Sequence, residues 1–141
     1  MSKAVFFDID GTLWDFHNVI PESTVRAIRA LRANGHYAFI CSGRARAYIT
    51  HPDLFAIGFD GLVAACGTHV ELDGKRIYEK LIDPQLAVHT VETVRKYGFR
   101  PILEGPEYLY MDEADFGHEP YGQKLMRELG DQLVGITDHY G

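Results

Sequence analysis

Short apolar runs and one amphipathic stretch alternate along the first part of the chain. Ala4 to Phe7 and Tyr37 to Ile40 are continuous apolar runs, which are typical of strands covered on both faces in a parallel sheet. Between them, a segment that Pro21 opens carries apolar residues at helical spacing and stops at Asn34-Gly35. A strand, a helix and a strand in this order predict a right-handed βαβ crossover with parallel strands. A short helix over Arg46 to Thr50 is expected after the second strand.

Strand-like runs continue to about residue 80. The apolar run from Leu62 to Ala65 predicts a third strand. Two more, His69 to Leu72 and Lys75 to Tyr78, flank Asp73-Gly74, which is a typical dipeptide of a type I′ hairpin turn. This part of the chain therefore predicts an α/β fold with a partial doubly wound, Rossmann-like parallel sheet.

The pattern changes at Asp83-Pro84, where a separate α+β unit is expected to begin. Its predicted elements are a helix over Gln85 to Tyr97, short strands over Arg100 to Leu103 and Tyr108 to Met111, and a helix over Tyr121 to Leu129. The predicted domains are residues 1–82 and residues 83–141.

Composition narrows the class of protein. The chain has 141 residues and a net charge of −6, which argues against a nucleic-acid partner held by its phosphate backbone. No apolar stretch approaches the roughly 20 residues that cross a bilayer, so we expect no membrane contact and a cytoplasmic location. Cys41 and Cys66 and the scattered histidines show no zinc-ligand spacing, and two buried reduced thiols are expected.

Polar residues follow the first two predicted strands. In an open parallel sheet, ligands bind beyond the carboxyl ends of the strands. The residues predicted to meet there are Asp8, Asp10, Gly11, Thr12, Ser42, Gly43 and Arg44. A phosphate at this edge could accept hydrogen bonds from the Gly11 and Thr12 amides and from the Ser42 hydroxyl, with Arg44 and Gly43 beside it.

Paired carboxylates facing a phosphate call for a divalent cation, because they would otherwise repel the anion. Mg²⁺ fits, since it prefers oxygen ligands and binds through one or two carboxylates plus a phosphate oxygen. One carboxylate of Asp8 and Asp10 could attack phosphorus while the other moves protons. A surface turn is the alternative for Asp-Gly. A calcium loop fails, because Leu13 and Val19 stand where its Gly and Glu belong.

The segment Asp8-Ile9-Asp10-Gly11-Thr12-Leu13 resembles the first motif of the haloacid dehalogenase superfamily of phosphohydrolases, and Ser42-Gly43-Arg44 resembles the second motif of its Cof-type branch. The resemblance implies that residues 1–82 are the N-terminal part of the hydrolase core and residues 83–141 part of an inserted α+β cap domain. It implies that Asp8 is the nucleophile and a magnesium ligand. Asp10 would be the general acid/base whose main-chain carbonyl also binds the metal, and Ser42 a phosphate ligand.

Two departures from the family pattern matter. Cys66-Gly67 takes the place of an Asn-Gly pair that the branch commonly has after the third strand. The family's lysine motif and its Gly-Asp-x-x-x-Asp motif have no match, since Gly130 to Gly135 lacks the second acid and follows a predicted helix. We therefore expect a fragment of a longer enzyme with little activity alone, and an open edge on the first strand through which copies could associate.

The sequence thus favours a magnesium-dependent phosphatase that hydrolyses a small phosphomonoester, a sugar phosphate or nucleotide, through an aspartyl-phosphate. A phosphomutase of the same superfamily and a non-catalytic phosphate-binding remnant are the alternatives. Substrate contacts could come from Tyr108, Tyr110, His118 and Tyr121, although aromatic residues at such spacing more often serve packing.

Overall fold

The computed structural model of the chain describes residues 1–15, 17–116 and 118–136. The chain divides into two compact units, one built from Met1–Arg44 and Ile49–Lys80, the other from Ala45–Tyr48 and the residues from Leu81 onward. The assignment of residues 1–82 to a hydrolase core and 83–141 to a cap stays a prediction, and residues 117 and 137–141 of the second range lie outside the described residues.

The first unit is built on a five-stranded sheet in the order β1-β2-β3-β4-β5. Its strands are β1 (Ala4–Phe7), β2 (Tyr37–Cys41), β3 (Gly61–Ala64), β4 (His69–Leu72) and β5 (Lys75–Glu79). The first three are parallel and the last two antiparallel. The α/β class and the predicted hairpin are confirmed, with Asp73 and Gly74 both at positive φ as a type I′ turn requires.

Two helices pack on one face of this sheet: α1 (Glu22–Ala33) and α2 (Pro52–Ile57). Ile28 of α1 and Leu54 of α2 are buried with Ile40 of β2 in one apolar cluster. The predicted short helix is a single 3₁₀ turn over Arg46–Tyr48. The sequence analysis did not predict α2. Pro52 is the first residue of this helix, and the His51 side chain accepts a hydrogen bond from the Asp53 amide.

The second unit contains the three-stranded sheet β6-β7-β8 with helices α3, α4 and α5. Their ranges are α3 Pro84–Lys96, β6 Leu103–Glu104, β7 Leu109–Tyr110, α4 Glu113–Phe116, α5 Pro120–Leu129 and β8 Leu133–Val134. Asp83 caps α3 by accepting hydrogen bonds from the Gln85 and Leu86 amides. The residues from Gly130 to Gln132 form a 3₁₀ turn after α5, as expected of a segment that is not a core-strand motif.

Helices that could cross a membrane are absent from the described part of the chain, because none is both long and apolar enough.

Candidate active site

The first two strands bring the predicted site residues to one edge of the sheet. Asp8 directly follows β1 and Ser42 directly follows β2. The two strands are parallel with Phe7 opposite Ile40, so both polar residues lie at neighbouring carboxyl ends. The Asp8 side chain is exposed, whereas Ser42 is buried, with 6% of its surface accessible.

A tight turn holds the segment after Asp8. The carbonyl of Ile9 accepts hydrogen bonds from the amides of Thr12, Leu13 and Trp14 at 3.2, 3.0 and 3.3 Å. The Gly11 amide donates to the Trp14 carbonyl at 3.0 Å. In this conformation the Gly11 and Thr12 amides therefore donate hydrogen bonds within the turn. The assignment of these two residues to phosphate binding stays a prediction.

Asp10 projects from this turn into an ion pair with Arg44. The guanidinium donates through Nε to one carboxylate oxygen at 2.8 Å and through a terminal nitrogen to the other at 2.7 Å. This two-pronged geometry is the strongest arrangement of an arginine and a carboxylate. The sequence predicted both residues for the site but not that they would pair.

Trp14 is a site residue that the sequence reasoning missed. Its indole N–H donates to Asp10 at 3.2 Å, and its ring lies under the Arg44 guanidinium at 5.2 Å. Trp14 is 4% exposed, so a rigid aromatic surface supports the ion pair from the core side. Its spacing of four residues from Asp10 was the only sequence signal.

The loops after β2 and β3 are tied together beside Ser42. The Ser42 hydroxyl oxygen accepts from the Arg44 amide at 3.1 Å, which leaves its hydrogen able to donate to an anion. The Ala65 amide donates to the Arg44 carbonyl at 2.8 Å, and the Cys66 amide to the Ser42 carbonyl at 3.4 Å. Gly43 lies between these contacts, where an added Cβ would stand 3.6 Å from the Cys66 sulfur.

The loop after β3 has an unusual backbone. Ala65 and Cys66 have φ of +48° and +54°, the left-handed region that residues other than glycine and asparagine rarely adopt. Gly67, the next residue, also has a positive φ, of +94°. An Asn-Gly pair suits such a backbone because asparagine tolerates the left-handed conformation. The left-handed conformation therefore costs more free energy at Cys66 than it would cost with asparagine at this position. Both cysteines are reduced, and both are exposed rather than buried as expected.

Two oxygen donors at the carboxyl ends of the strands suit part of the coordination shell of Mg²⁺. The Asp8 carboxylate and the Asp10 main-chain carbonyl are oxygen donors of the kind that Mg²⁺ prefers. The Asp10 carboxylate is engaged by Arg44. Across residues 1–15, 17–116 and 118–136, no group of three His, Cys, Asp or Glu side chains is placed to share one metal ion.

The aromatic residues proposed for substrate contact lie in the second unit. The rings of Tyr108 and Tyr110 pack edge to face with 6.4 Å between their centres, and Tyr108 and Tyr121 are exposed. The contact between the two tyrosine rings is a packing arrangement, and a role in substrate choice stays a prediction.

Comparison with known proteins shows the family to which the chain belongs. A family model for haloacid dehalogenase-like hydrolases matches residues 5–134. The chain belongs to this family of haloacid dehalogenase-like hydrolases. The match includes the two loops that carry the Asp8 and Ser42 segments.

Individual relatives agree with this assignment. "Putative phosphatase YkrA" of Bacillus subtilis (strain 168) is 33% identical over 102 residues, which are 72% of this chain and 39% of that protein. A solved structure of a hypothetical protein from Geobacillus kaustophilus HTA426 is 27% identical with a TM-score of 0.77, over 99% of this chain and 54% of that one. The Bacteroides thetaiotaomicron phosphatase BT1666 is 25% identical with a TM-score of 0.71, over 90% and 46%.

A further structure, described as the subclass IIB sugar phosphatase BT4131, has the same fold, with a TM-score of 0.73 at 23% identity. It matches 98% of this chain and 54% of its own chain. The present chain thus spans about half the length of the solved relatives and 39% of YkrA.

Proposed function

We propose that this chain carries the nucleophile and the phosphate pocket of a magnesium-dependent phosphatase for small phosphomonoesters. The observation that carries the proposal is the meeting of Asp8, Asp10 and Ser42-Gly43-Arg44 at the carboxyl ends of two parallel strands. Membership of the hydrolase family and the phosphatase names of YkrA and BT1666 support it.

In the proposed mechanism, the exposed carboxylate of Asp8 attacks phosphorus and displaces the ester oxygen, so that the P–O ester bond breaks as the aspartyl-phosphate forms. Before substrate binds, both carboxylate oxygens of Asp10 accept hydrogen bonds from Arg44; in the proposed mechanism the phosphate takes over the guanidinium, and Asp10 takes up a proton from solvent. Asp10 then donates this proton to the departing oxygen. It later removes a proton from the water that hydrolyses the aspartyl-phosphate, which returns Asp8 to its carboxylate and Asp10 to its protonated form. Until the phosphate binds, Arg44 and Trp14 hold the Asp10 side chain in position through the contacts described above.

Asp8 and the main-chain carbonyl of Asp10 are the groups that would hold Mg²⁺. When bound, the ion offsets the negative charge that the phosphate and the carboxylates bring together. Ser42 donates its hydroxyl hydrogen to a phosphate oxygen, and its burial keeps that donor from turning into solvent.

The proposed substrate class is a sugar phosphate or a nucleotide. The sugar phosphatase BT4131 has the same fold, which favours a sugar phosphate among these. Residues 83–141, which we assign to a cap domain, would determine the specificity among such substrates.

Beryllofluoride tests the proposal without requiring turnover, because it forms a phosphate-like adduct with a nucleophilic aspartate in the presence of Mg²⁺. We expect bound ¹⁹F resonances with the wild-type chain and their loss in Asp8→Asn. The matched control is Asp53→Asn, an exposed aspartate on α2, which should keep the resonances. Resonances that persist in Asp8→Asn would contradict the assignment of the nucleophile.

A non-catalytic phosphate-binding protein is the second candidate. It is favoured by the finding that, among the described residues, no three His, Cys, Asp or Glu side chains are placed to share one metal ion. An aryl phosphate assayed with and without Mg²⁺ separates the two. Turnover that Asp8→Asn abolishes supports the enzyme and would show that the chain is active alone. If the chain shows no turnover but binds phosphate, and Ser42→Ala weakens that binding, the result supports a non-catalytic phosphate-binding protein.

A further inference from the structure

Two donors share one oxygen of the Asp10 carboxylate. The Trp14 indole N–H and a terminal guanidinium nitrogen of Arg44 both donate to Oδ1, at 3.2 and 2.7 Å. The other oxygen, Oδ2, accepts from the Arg44 Nε at 2.8 Å. Trp14 therefore contacts one oxygen and Arg44 contacts both. When the guanidinium moves away, Oδ1 keeps the indole as a donor, whereas Oδ2 loses the donor that Arg44 supplied.

The two donors also differ in where they lie along the chain. Trp14 belongs to the same turn as Asp10, because its amide donates to the Ile9 carbonyl at 3.3 Å and its carbonyl accepts from the Gly11 amide at 3.0 Å. Arg44 stands on the loop after β2, which is a separate part of the chain. A movement of Arg44 toward a bound phosphate therefore does not displace the indole relative to the main chain of Asp10.

The indole ring is held firmly on its other sides. Trp14 is 4% exposed and belongs to the apolar cluster that includes Ile9 and Leu13. The His51 ring packs edge to face against it, with 5.3 Å between the ring centres. His51 is itself fixed at the start of α2, where its side chain accepts a hydrogen bond from the Asp53 amide at 3.3 Å. A side chain locked by packing in this way keeps its N–H directed at one point.

The acceptor that this N–H has found is unusual for a buried indole. A buried indole N–H needs a partner, and a main-chain carbonyl in the core would be sufficient. Here the partner is instead the side chain that we assign to proton transfer, and that side chain is 54% exposed. We propose that Trp14 is a positioning residue for Asp10. Its N–H retains Oδ1 while Arg44 passes to the phosphate, so that Oδ2 is the oxygen that exchanges the proton.

The chemistry of a carboxylic acid agrees with this division between the two oxygens. A protonated carboxyl group carries its hydrogen on one oxygen and keeps the other as an acceptor. Because the indole N–H can only donate, it selects Oδ1 of Asp10 as the acceptor, and Oδ2 carries the hydrogen. The departing ester oxygen then receives its proton from Oδ2, and the attacking water later gives a proton to the same oxygen. The inference rests on the proposed function, in which Asp10 is the general acid/base.

The indole hydrogen bond can be observed directly, because Trp14 is the only tryptophan of the chain and gives a single indole resonance in a ¹H–¹⁵N spectrum. Asp10→Ala removes the acceptor and should speed exchange of the indole hydrogen with water about tenfold or more. Arg44→Ala should leave the exchange rate unchanged. Asp53→Ala is the matched control at an exposed aspartate and should also leave it unchanged. Equal acceleration in Asp10→Ala and Arg44→Ala would overturn the proposal.

Inorganic phosphate with Mg²⁺ tests whether the indole stays on Asp10 when Arg44 changes its partner. Titration calorimetry establishes that phosphate is bound. We then expect the Arg44 Nε–H resonance to shift and the exchange rate of the Trp14 indole hydrogen to stay the same. Phosphate that binds and releases the indole overturns this inference and leaves the proposed function standing. Absence of phosphate binding overturns the proposed function and this inference with it.

Trp14→Phe adds a readout that packing alone would not move. Phenylalanine keeps an aromatic ring in the core and lacks the N–H. With an aryl phosphate as substrate, kcat should fall about tenfold and KM should stay the same, because Asp10 acts after the substrate is bound. An unchanged kcat overturns the proposal. Circular dichroism checks that the variant folds. If Trp14→Phe does not fold, or if the chain has no turnover, the indole resonance decides, since Asp10→Ala and Arg44→Ala leave the core intact.

Discussion

Arg44 and Asp10 lie 34 residues apart in sequence and meet as a two-pronged ion pair, with N–O distances of 2.8 and 2.7 Å. The pair joins the loop after β1 to the loop after β2. It also couples two of the charges that a phosphate would meet at the carboxyl ends of β1 and β2. A phosphate and the Asp10 carboxylate would compete for the same guanidinium, which makes Arg44 the most informative residue to change.

Arg44→Lys should lower the affinity of the chain for inorganic phosphate in the presence of Mg²⁺ by about tenfold, because lysine offers a point charge in place of a planar fork. Isothermal titration calorimetry measures the affinity. Arg46→Lys makes the same exchange two residues further along and should leave phosphate binding unchanged. Equal losses in both variants would show a general charge effect and not a site at Arg44.

Asp60 should stabilise the first unit through its charge. Its carboxylate accepts two hydrogen bonds from Arg32 at 3.1 and 2.7 Å and one from the Ala38 amide at 2.8 Å. Asp60→Asn should lower the free energy of unfolding by about 1 to 3 kcal/mol at pH 7. Urea denaturation measures this. Glu22→Gln, which alters an exposed pair with Arg26, should cost no more than about 0.5 kcal/mol.

The effect of Asp60 should depend on pH in a defined direction. The Arg32 guanidinium lowers the pKa of Asp60 from its ordinary value of 3.8. A lowered pKa in the folded state means that the stabilisation is complete above 3.8 and is lost as the pH falls through the folded-state pKa. The difference between wild type and Asp60→Asn should therefore shrink on the acid side. A difference that grows below pH 3.8 would contradict the role of the ion pair.

Gly61→Ala should destabilise the sheet strongly. A Cβ at this position would stand 2.3 Å from the Glu71 carbonyl oxygen and 3.0 Å from the Phe39 ring. Because backbone atoms cannot move aside cheaply, we expect a loss of about 3 kcal/mol or more in thermal or urea unfolding. Gly43→Ala is the control for stability, since its Cβ would meet only the Cys66 sulfur at 3.6 Å. A similar loss in both would show that the close approach at Gly61 is not the cause.

The second unit should owe its stability to its own apolar cluster. Leu125 of α5 is fully buried there with Leu109 and Met111. Leu125→Ala should cost about 2 to 5 kcal/mol, whereas Leu86→Ala, a matched change at a residue that is 53% exposed, should cost less than about 0.5 kcal/mol. Limited proteolysis within residues 81–136 reports the loss. Equal protection of both variants would contradict a cooperative core in this unit.

Much of the first unit followed from local patterns. The strands around Ala4 to Phe7 and Tyr37 to Ile40 were predictable because continuous apolar runs are characteristic of parallel strands. The expectation that both faces of these strands are covered was wrong for β1, whose residues alternate between exposed and half-buried. The hairpin was predictable because Asp73-Gly74 is suited to two positive φ angles in succession. The short elements α2, with six residues, and β8, with two, were not predictable, because such short segments carry too little periodicity to separate a helix from a loop or a strand.

The sequence by itself determined the class of the fold and which residues stand at the ends of β1 and β2, because both depend on local apolar runs and on the order of elements along the chain. Only the tertiary structure decided which of these residues touch. The pairing of Arg44 with Asp10, the support from Trp14 and the left-handed backbone at Ala65 and Cys66 depend on how three loops meet. Contacts between residues far apart in sequence leave no local pattern, so they depend on the tertiary structure that places the strands side by side.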